Sequence, residues 1–372
     1  MHLADLHIGK RIHAFSMLED QTFILDQIID ILKREKISTL LIAGDVYDKS
    51  IPTNEAVTLF DDFLVRVFRE NIRVFIISGN HDSPERLAFA SRIFESCQIY
   101  ISQVYQKAIA PTTLRDEFGE IDFWLIPFLK PADVRRFYPD QKIESYTDAM
   151  RVVIKNLQFT PGRRNVALVH QFITDAKTCD SEEHAIGGLD NIDADIFAPF
   201  QYVALGHLHG PQSVTRETIR YAGSPLIYSF SESRHVKSAT IVALEDEVRV
   251  HTLPLEQPRQ WRELEGTYAE LTSEHVRNDN PPLNFYQITL TDKDRILGAA
   301  DVLRKYYPLC MSIEYASQRE IILANSRKTI AQKTPIAYFE ELFSQKLGHP
   351  MRDEEKKIVD ELIREIWDDK TP

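Results

Sequence analysis

The residues of this chain best able to do chemistry fall in five short segments, and each closely follows an apolar run. They are Asp5-Leu6-His7, Gly44-Asp45-Val46-Tyr47-Asp48, Gly79-Asn80-His81-Asp82, His170 at the end of Val166-Ala167-Leu168-Val169, and Gly206-His207-Leu208-His209. Collected, the metal-type donors are Asp5, His7, Asp45, Asn80, His170, His207 and His209, all oxygen or imidazole nitrogen. Such a set suits a borderline divalent ion such as manganese, iron or zinc. A magnesium site would be carboxylate and water, and a structural zinc site would use thiolates. Seven donors are too many for one tetrahedral ion and suit two ions sharing a bridge. Two dications about 3.5–4 Å apart repel by roughly 17–19 kcal/mol even at an effective dielectric of about 20, so a bridging anion is required. Asp45, leaving a glycine turn in the middle of the series, is the candidate. Two carboxylates, Asp5 and Asp45, against two dications leave an excess of positive charge that attracts a phosphate. His81 stands beside a ligand without being needed as one, so it can give a hydrogen bond or proton to a departing oxygen, with Asp82 to orient it. A histidine met singly reads as an ordinary core or surface residue, and that reading is kept for His2, His13, His184, His235, His251, His275 and His349.

These side chains need strands that deliver them to one edge. Residues 39–43, 73–78, 166–169 and 202–205 are nearly uninterrupted apolar runs of strand length, the pattern of strands buried on both faces. A glycine at the end of a strand lets the chain turn sharply, so Asn80 and His81 project from the carboxyl edge of a sheet, where open α/β folds bind ligands. Asp5 and His7, two residues apart on a strand that is short at its start, point to one side. Between the strands, Leu18, Leu25, Ile28, Ile29 and Leu32 recur at helical spacing. A second helix after Pro52 carries Val57, Phe60, Phe63, Leu64, Val67 and Phe68 on one stripe. Strand, helix, strand implies a right-handed parallel crossover. Ser83 and Pro84 open a helix over 84–95 as cap and first-turn residue, and another helix spans 146–157. Residues 99–128 read as short extended pieces, the clearest being 121–126.

Past the fifth segment the pattern turns to β-structure, with a hairpin over 237–253 around Glu245-Asp246. Residues 254–262, with Pro254 and Pro258, read as a crossing to a small module of strands at 285–291 and 311–315 flanking a helix at 295–306. The last helices, at 335–347 and 353–367, carry the apolar stripes Phe339, Leu342, Phe343 and Ile358, Leu362, Ile366. They form either a tail packed on its own protein or a hairpin that docks a partner. The expected domains are 1–256 for the metal-bearing core, 257–316 for the α+β module, 317–333 for a linker and 334–372 for the helical hairpin.

Composition narrows the class. Hydrophobic content of 43% and charged content of 27% are those of a folded soluble protein rather than a disordered one. Three scattered cysteines, Cys97, Cys179 and Cys310, fit no disulfide framework and suit a reducing compartment. The start of the chain shows no export signal and no apolar run is long enough to span a membrane, so a cytoplasmic location is expected. A formal charge of −12 opposes a simple phosphate-backbone binder, so any nucleic-acid contact must be local, metal-assisted or shared with a partner.

In type and order the five segments resemble the motif series of the calcineurin-like metallophosphoesterases: Asp-x-His, Gly-Asp-x-x-Asp, Gly-Asn-His-Asp, a lone His and Gly-His-x-His. A closer likeness is to the bacterial DNA-nuclease branch of that superfamily, through residues 2–10, Gly79 to Ser83, Tyr221-Ala222-Gly223-Ser224-Pro225 and Tyr228-Ser229-Phe230-Ser231-Glu232. The resemblance implies an α/β fold whose β-sandwich core is flanked by helices, with a capping module and a C-terminal helical hairpin. It implies one ion on Asp5, His7, Asp45 and His209 and another on Asp45, Asn80, His170 and His207. His81 is then the catalytic histidine. Asp48, where archaeal and eukaryotic relatives carry histidine, is left a supporting role. The implied cofactors are two divalent ions, manganese first and magnesium as the alternative, with no nucleotide bound by this chain alone. The implied activity is exonucleolytic cutting of double-strand DNA ends and endonucleolytic cutting of hairpins and single strands, in replication, recombination and repair at the nucleoid. The implied assembly is a dimer through the helices after Pro52 and Pro84, joined to two copies of a coiled-coil ATPase docked on the C-terminal hairpin. The competing functions are a small-molecule phosphatase or phosphodiesterase, which the metal motifs alone allow, and a non-catalytic scaffold.

Overall fold

The computed structural model describes residues 1–174, 176–179, 182, 191–316, 336, 339–340, 342–344 and 349–367, with 361–367 described by backbone alone. Four main strands come first and lie side by side, all parallel: β1 (His2–Leu3), β2 (Thr39–Ala43), β3 (Arg73–Ile77) and β4 (Ile99–Ile101). The next six build a second sheet: β5 (Thr112–Asp116), β6 (Gly119–Ile126), β7 (Arg164–His170), β8 (Tyr202–Gly206), β9 (Gln212–Val214) and β10 (Arg216–Tyr221). Its order is β9-β10-β8-β7-β6-β5, and β6, β7, β8 and β10 run parallel to one another. The chain then returns to the first sheet as the hairpin β11 (Ser238–Leu244) and β12 (Val248–Pro254), antiparallel on the free side of β1.

The two sheets face each other, which explains why the central strands are apolar on both sides. Leu41, Ala43, Phe75 and Ile77 of the first sheet pack against Ile121, Phe123, Val166, Leu168, Tyr202 and Ala204 of the second. The ring of Phe75 stacks between Phe123, at 4.4 Å, and Tyr100, at 4.8 Å. Alternate residues point the other way. Leu40, Ile42, Val74 and Ile76 meet helices α1 (Leu18–Arg34) and α2 (Asn54–Arg69). On the outer face of the second sheet Trp124, Ile126, Ala167, Val169 and Val203 pack with α3 (Tyr146–Lys155). The result is helix, sheet, sheet, helix, with the carboxyl ends of β1, β2, β3, β7 and β8 converging.

Three readings need correction. The apolar stripe of α2 is wider than its buried face: Phe60, Phe63 and Val67 are buried, whereas Val57 and Phe68 are exposed. The helix expected over 84–95 is broken into Pro84–Leu87 and Ser91–Phe94, because Ala90 adopts a left-handed conformation at φ 57°. The stretch read as a crossing ends in a strand, β13 (Trp261–Gly266), which pairs in parallel with β14 (Phe285–Leu290), itself parallel to β15 (Cys310–Tyr315). Helix α4 (Ala299–Tyr306) covers this small sheet through Leu303, joined by Tyr307 just after the helix. The module is seated on the core by Trp261 and Phe285. Arg259 adds a guanidinium that donates to Asp20 at 2.8 Å and Glu19 at 3.0 Å on α1.

Helix α5 (Asp353–Trp367) is described at the end of the chain. The linker 317–333, most of the helix expected over 335–347, and the side chains of Leu362 and Ile366 lie outside the described residues. Among the described residues no helix is long and apolar enough to cross a membrane.

Candidate metal centre

Chain segments leaving the strands are laced together before any side chain is considered. Beyond β1 the backbone runs along the exit of β2: Asp5 N–H donates to the Gly44 carbonyl at 3.1 Å, His7 N–H to Asp45 at 2.9 Å and Ile8 N–H to Val46 at 2.9 Å. The turns are tight. A Cβ on Gly44, which has φ +87°, would lie 2.3 Å from His170 Nδ1, and one on Gly79 would lie 2.1 Å from Asp45 Oδ1. Only a residue without a side chain lets these loops approach so closely. Asp5, His7, Asp45 and His207 all hold positive φ, at 54°, 44°, 48° and 109°. Such conformations cost about 1–3 kcal/mol each and persist where the surroundings over-determine them, as at functional sites.

All seven residues read as donors come together. His7 Nε2 and His209 Nε2 stand 3.1 Å apart, and Asp45 Oδ2 lies 3.6 Å from His7 Nε2 and 3.3 Å from His170 Nε2. Asp45 therefore lies within reach of both His7 and His170. Asn80 Oδ1 is 3.0 Å from both His170 Nε2 and His207 Nδ1. Both oxygens of Asp5 accept from the His207 backbone N–H, at 3.0 and 3.2 Å. Asp5, His7 and His209 form one candidate metal-holding group, and Asp5, Asp45 and His170 another. Except for Asn80, which is half-buried, every one of the seven is buried. Burying this many polar groups without compensation is costly, and converging lone pairs on close imidazole nitrogens are relieved by a shared cation. The residues present thus fit divalent metal binding.

The electrostatics follow from burial and proximity. Burial pushes the Asp5 carboxyl well above the usual carboxylate range, against the pull of His170. Burial acts the same way on Asp45, but the facing imidazoles of His170, His7 and His81 outweigh it and hold that carboxyl well below the usual range. Burial lowers His170, yet the adjoining Asp45 carboxylate lifts the imidazole to about 9.

Around the donors, the structure corrects one expectation. Asp82 does not orient His81. Its carboxylate accepts from the backbone N–H groups of Val46 at 3.1 Å, Tyr47 at 2.9 Å and Gly79 at 2.9 Å, so it ties the second and third motif loops together. His81 is half-buried, with Nδ1 on the Asp48 carbonyl at 2.9 Å and Nε2 4.0 Å from Asp45 Oδ2. The Asp48 carboxylate takes Lys10 Nζ at 2.7 Å and lies 3.6 Å from His7 Nδ1, behind the donors.

Four contributors escaped sequence reasoning. Gln21 of α1 donates to the His7 carbonyl at 2.7 Å and to the Tyr228 hydroxyl at 3.1 Å, and the Tyr228 ring meets His7 and His209 edge-on. Glu232 faces His209 Nδ1 at 3.2 Å and is itself paired with Lys237. Glu232 lies in the quoted Tyr228–Glu232 stretch, which was the available signal. Nothing in spacing reveals Gln21 or Lys237.

The model of the calcineurin-like phosphoesterase family matches residues 1–211, and the chain belongs to that family. Within it, the chain is 32% identical over 319 residues to SbcD, the nuclease subunit of SbcCD, of Staphylococcus epidermidis, 84% of each sequence being covered. A crystal structure of a dimetal phosphatase from Danio rerio matches 59% of this chain and 84% of that one, with 11% identity and a TM-score of 0.34.

Proposed function

We propose that the chain is the nuclease subunit of an SbcCD-type complex, a phosphodiesterase that uses two divalent ions, manganese first, to cut DNA. The observation carrying this reading is the convergence of four imidazoles, two carboxylates and one carboxamide from five strand ends. One ion is assigned to Asp5, His7, Asp45 and His209, and the other to Asp45, Asn80, His170 and His207. When bound, such ions neutralise a phosphodiester and make hydroxide available near neutral pH. Asp45, within reach of both His7 and His170, would place its negative charge between two such ions. His81, on the exposed side with its Nδ1 fixed by the Asp48 carbonyl, turns Nε2 toward the site and gives a proton or hydrogen bond to the departing oxygen. Asp82 and Asp48 act behind it by holding the loops and Lys10.

The relative's name, a subunit of SbcCD, supports a partner chain in general. The partner assigned here is an SbcC-type ATPase, with two copies of each chain in the assembly and this chain's domains divided at 256, 316 and 333. The helical tail is assigned to the coiled-coil base, and exposed Phe339, Leu342 and Ile358 are available for it. Exposed Ile51, Val57, Phe68, Phe89 and Ile93 supply the apolar surface for self-association through the segments after Pro52 and Pro84. A partner also accounts for DNA binding by a chain of net charge −12.

The test is purified chain with manganese, given a DNA hairpin, a duplex end, p-nitrophenyl phosphate and its diester, with and without the ATPase. Cleavage of the hairpin is expected. Turnover of the monoester with DNA untouched under all conditions would assign the site to a small-molecule phosphatase.

A further inference from the structure

We propose that Lys237 is a positioning residue for the metal centre, gripping His209 through Glu232 and through the His209 carbonyl. The inference rests on the two-ion reading above. Lys237 and Glu232 are both fully buried, at 1% and 0% exposure, in the segment that leads into β11. An ammonium carries three donors, and here each meets an acceptor: a Glu232 carboxylate oxygen, Ser224 Oγ at 2.8 Å and the His209 carbonyl at 2.9 Å. The other Glu232 oxygen takes His209 Nδ1 at 3.2 Å. One ion pair thus holds both the backbone and the ring of the same residue. Donation from Nδ1 fixes the tautomer that leaves the Nε2 lone pair facing His7 Nε2, 3.1 Å away.

Stability alone is a weak reason for this arrangement, because a buried ion pair is often matched by apolar residues of similar volume. A carboxylate on the far nitrogen of a metal-type histidine orients the ring and raises its basicity as a ligand. Lys237 has a distinct part in this. It neutralises Glu232, so the carboxylate stays behind the histidine as an acceptor instead of competing for an ion, and it anchors the carbonyl of a loop whose His207 is strained at φ 109°.

The experiment is manganese titration of the chelator-stripped full chain by calorimetry, for wild type, Glu232→Gln, Lys237→Met and the double variant, with thermal unfolding measured beside it. The double variant removes both buried charges together and so keeps the fold where a single variant leaves a lone charge. One of the two manganese sites is expected to weaken about 10–100-fold in each folded variant, the other staying at its wild-type affinity. Folded variants that bind both ions as wild type does would overturn the role of Lys237. Wild type that binds no manganese would overturn the two-ion reading itself, and this inference with it.

Discussion

Gly206 ends β8 against the facing sheet, and Gly206→Ala is the most direct steric probe of the site. A Cβ there would stand 1.8 Å from the Ala43 carbonyl oxygen and 2.7 Å from His170 Nδ1, where real Cβ contacts are essentially never under 3.0 Å. The shortfall at the carbonyl is roughly 1.2 Å, and the obstruction is backbone, so one strand end must move. The same carbonyl receives the His170 Nδ1–H at 2.8 Å, so the displacement also breaks the bond that aims His170. Overpacking of about 1–3 kcal/mol and a lost hydrogen bond of about 0.5–1.5 kcal/mol give an expected destabilisation of roughly 1.5–4.5 kcal/mol. The variant should also bind manganese at least about tenfold more weakly at the site holding His170. Gly162→Ala is the control: its φ is +82° but nothing lies within 4 Å, so only the left-handed strain of about 1–2 kcal/mol applies and metal binding is unchanged. Urea unfolding and metal calorimetry on both variants give the answer. Wild-type affinity for both ions in folded Gly206→Ala would refute the close approach of β2, β7 and β8.

Three further expectations concern chemistry and assembly. His81→Ala should keep both ions and DNA affinity while losing roughly 10²–10⁴-fold in single-turnover rate. His207→Ala should instead lose metal occupancy, partly restored by more manganese; loss of an ion in His81→Ala would reassign His81 as a ligand. Deleting the chain from Thr334 should leave cleavage of short single strands largely intact and abolish ATP-dependent work on duplex ends. A truncated chain that still co-purifies with the ATPase, or whose core collapses, would make the tail structural. Replacing exposed Phe89 and Ile93 together by Asp should shift a dimer toward monomer in sedimentation, and an unchanged dimer would place the self-contact elsewhere.

The donors were legible because parallel strands buried on both faces read as unbroken apolar runs, and each run ends abruptly in glycine or in an imidazole. Asp45, Asn80 and His170 announced themselves in this way. Pairing of the two sheets was not legible, since His7 meets His209 across some two hundred residues of chain. The outward turn of Val57 and Phe68 was missed for a related reason: periodicity marks an apolar stripe without saying how much of it the sheet covers. The break in the 84–95 helix depends on the left-handed Ala90, a residue of high helix propensity that tertiary context overrides. Glu232 and Lys237 were hidden because a buried ion pair looks, in sequence, like two ordinary surface charges.

The central claim is that the two ions work together on DNA, and one titration tests it most directly. Manganese is added to the chelator-stripped chain while bound ions per chain and cleavage of a DNA hairpin are followed in the same samples. Binding should saturate at about two ions per chain, with cleavage appearing as the second is taken up. Full hairpin cleavage in excess chelator, or with a single bound ion, would contradict it.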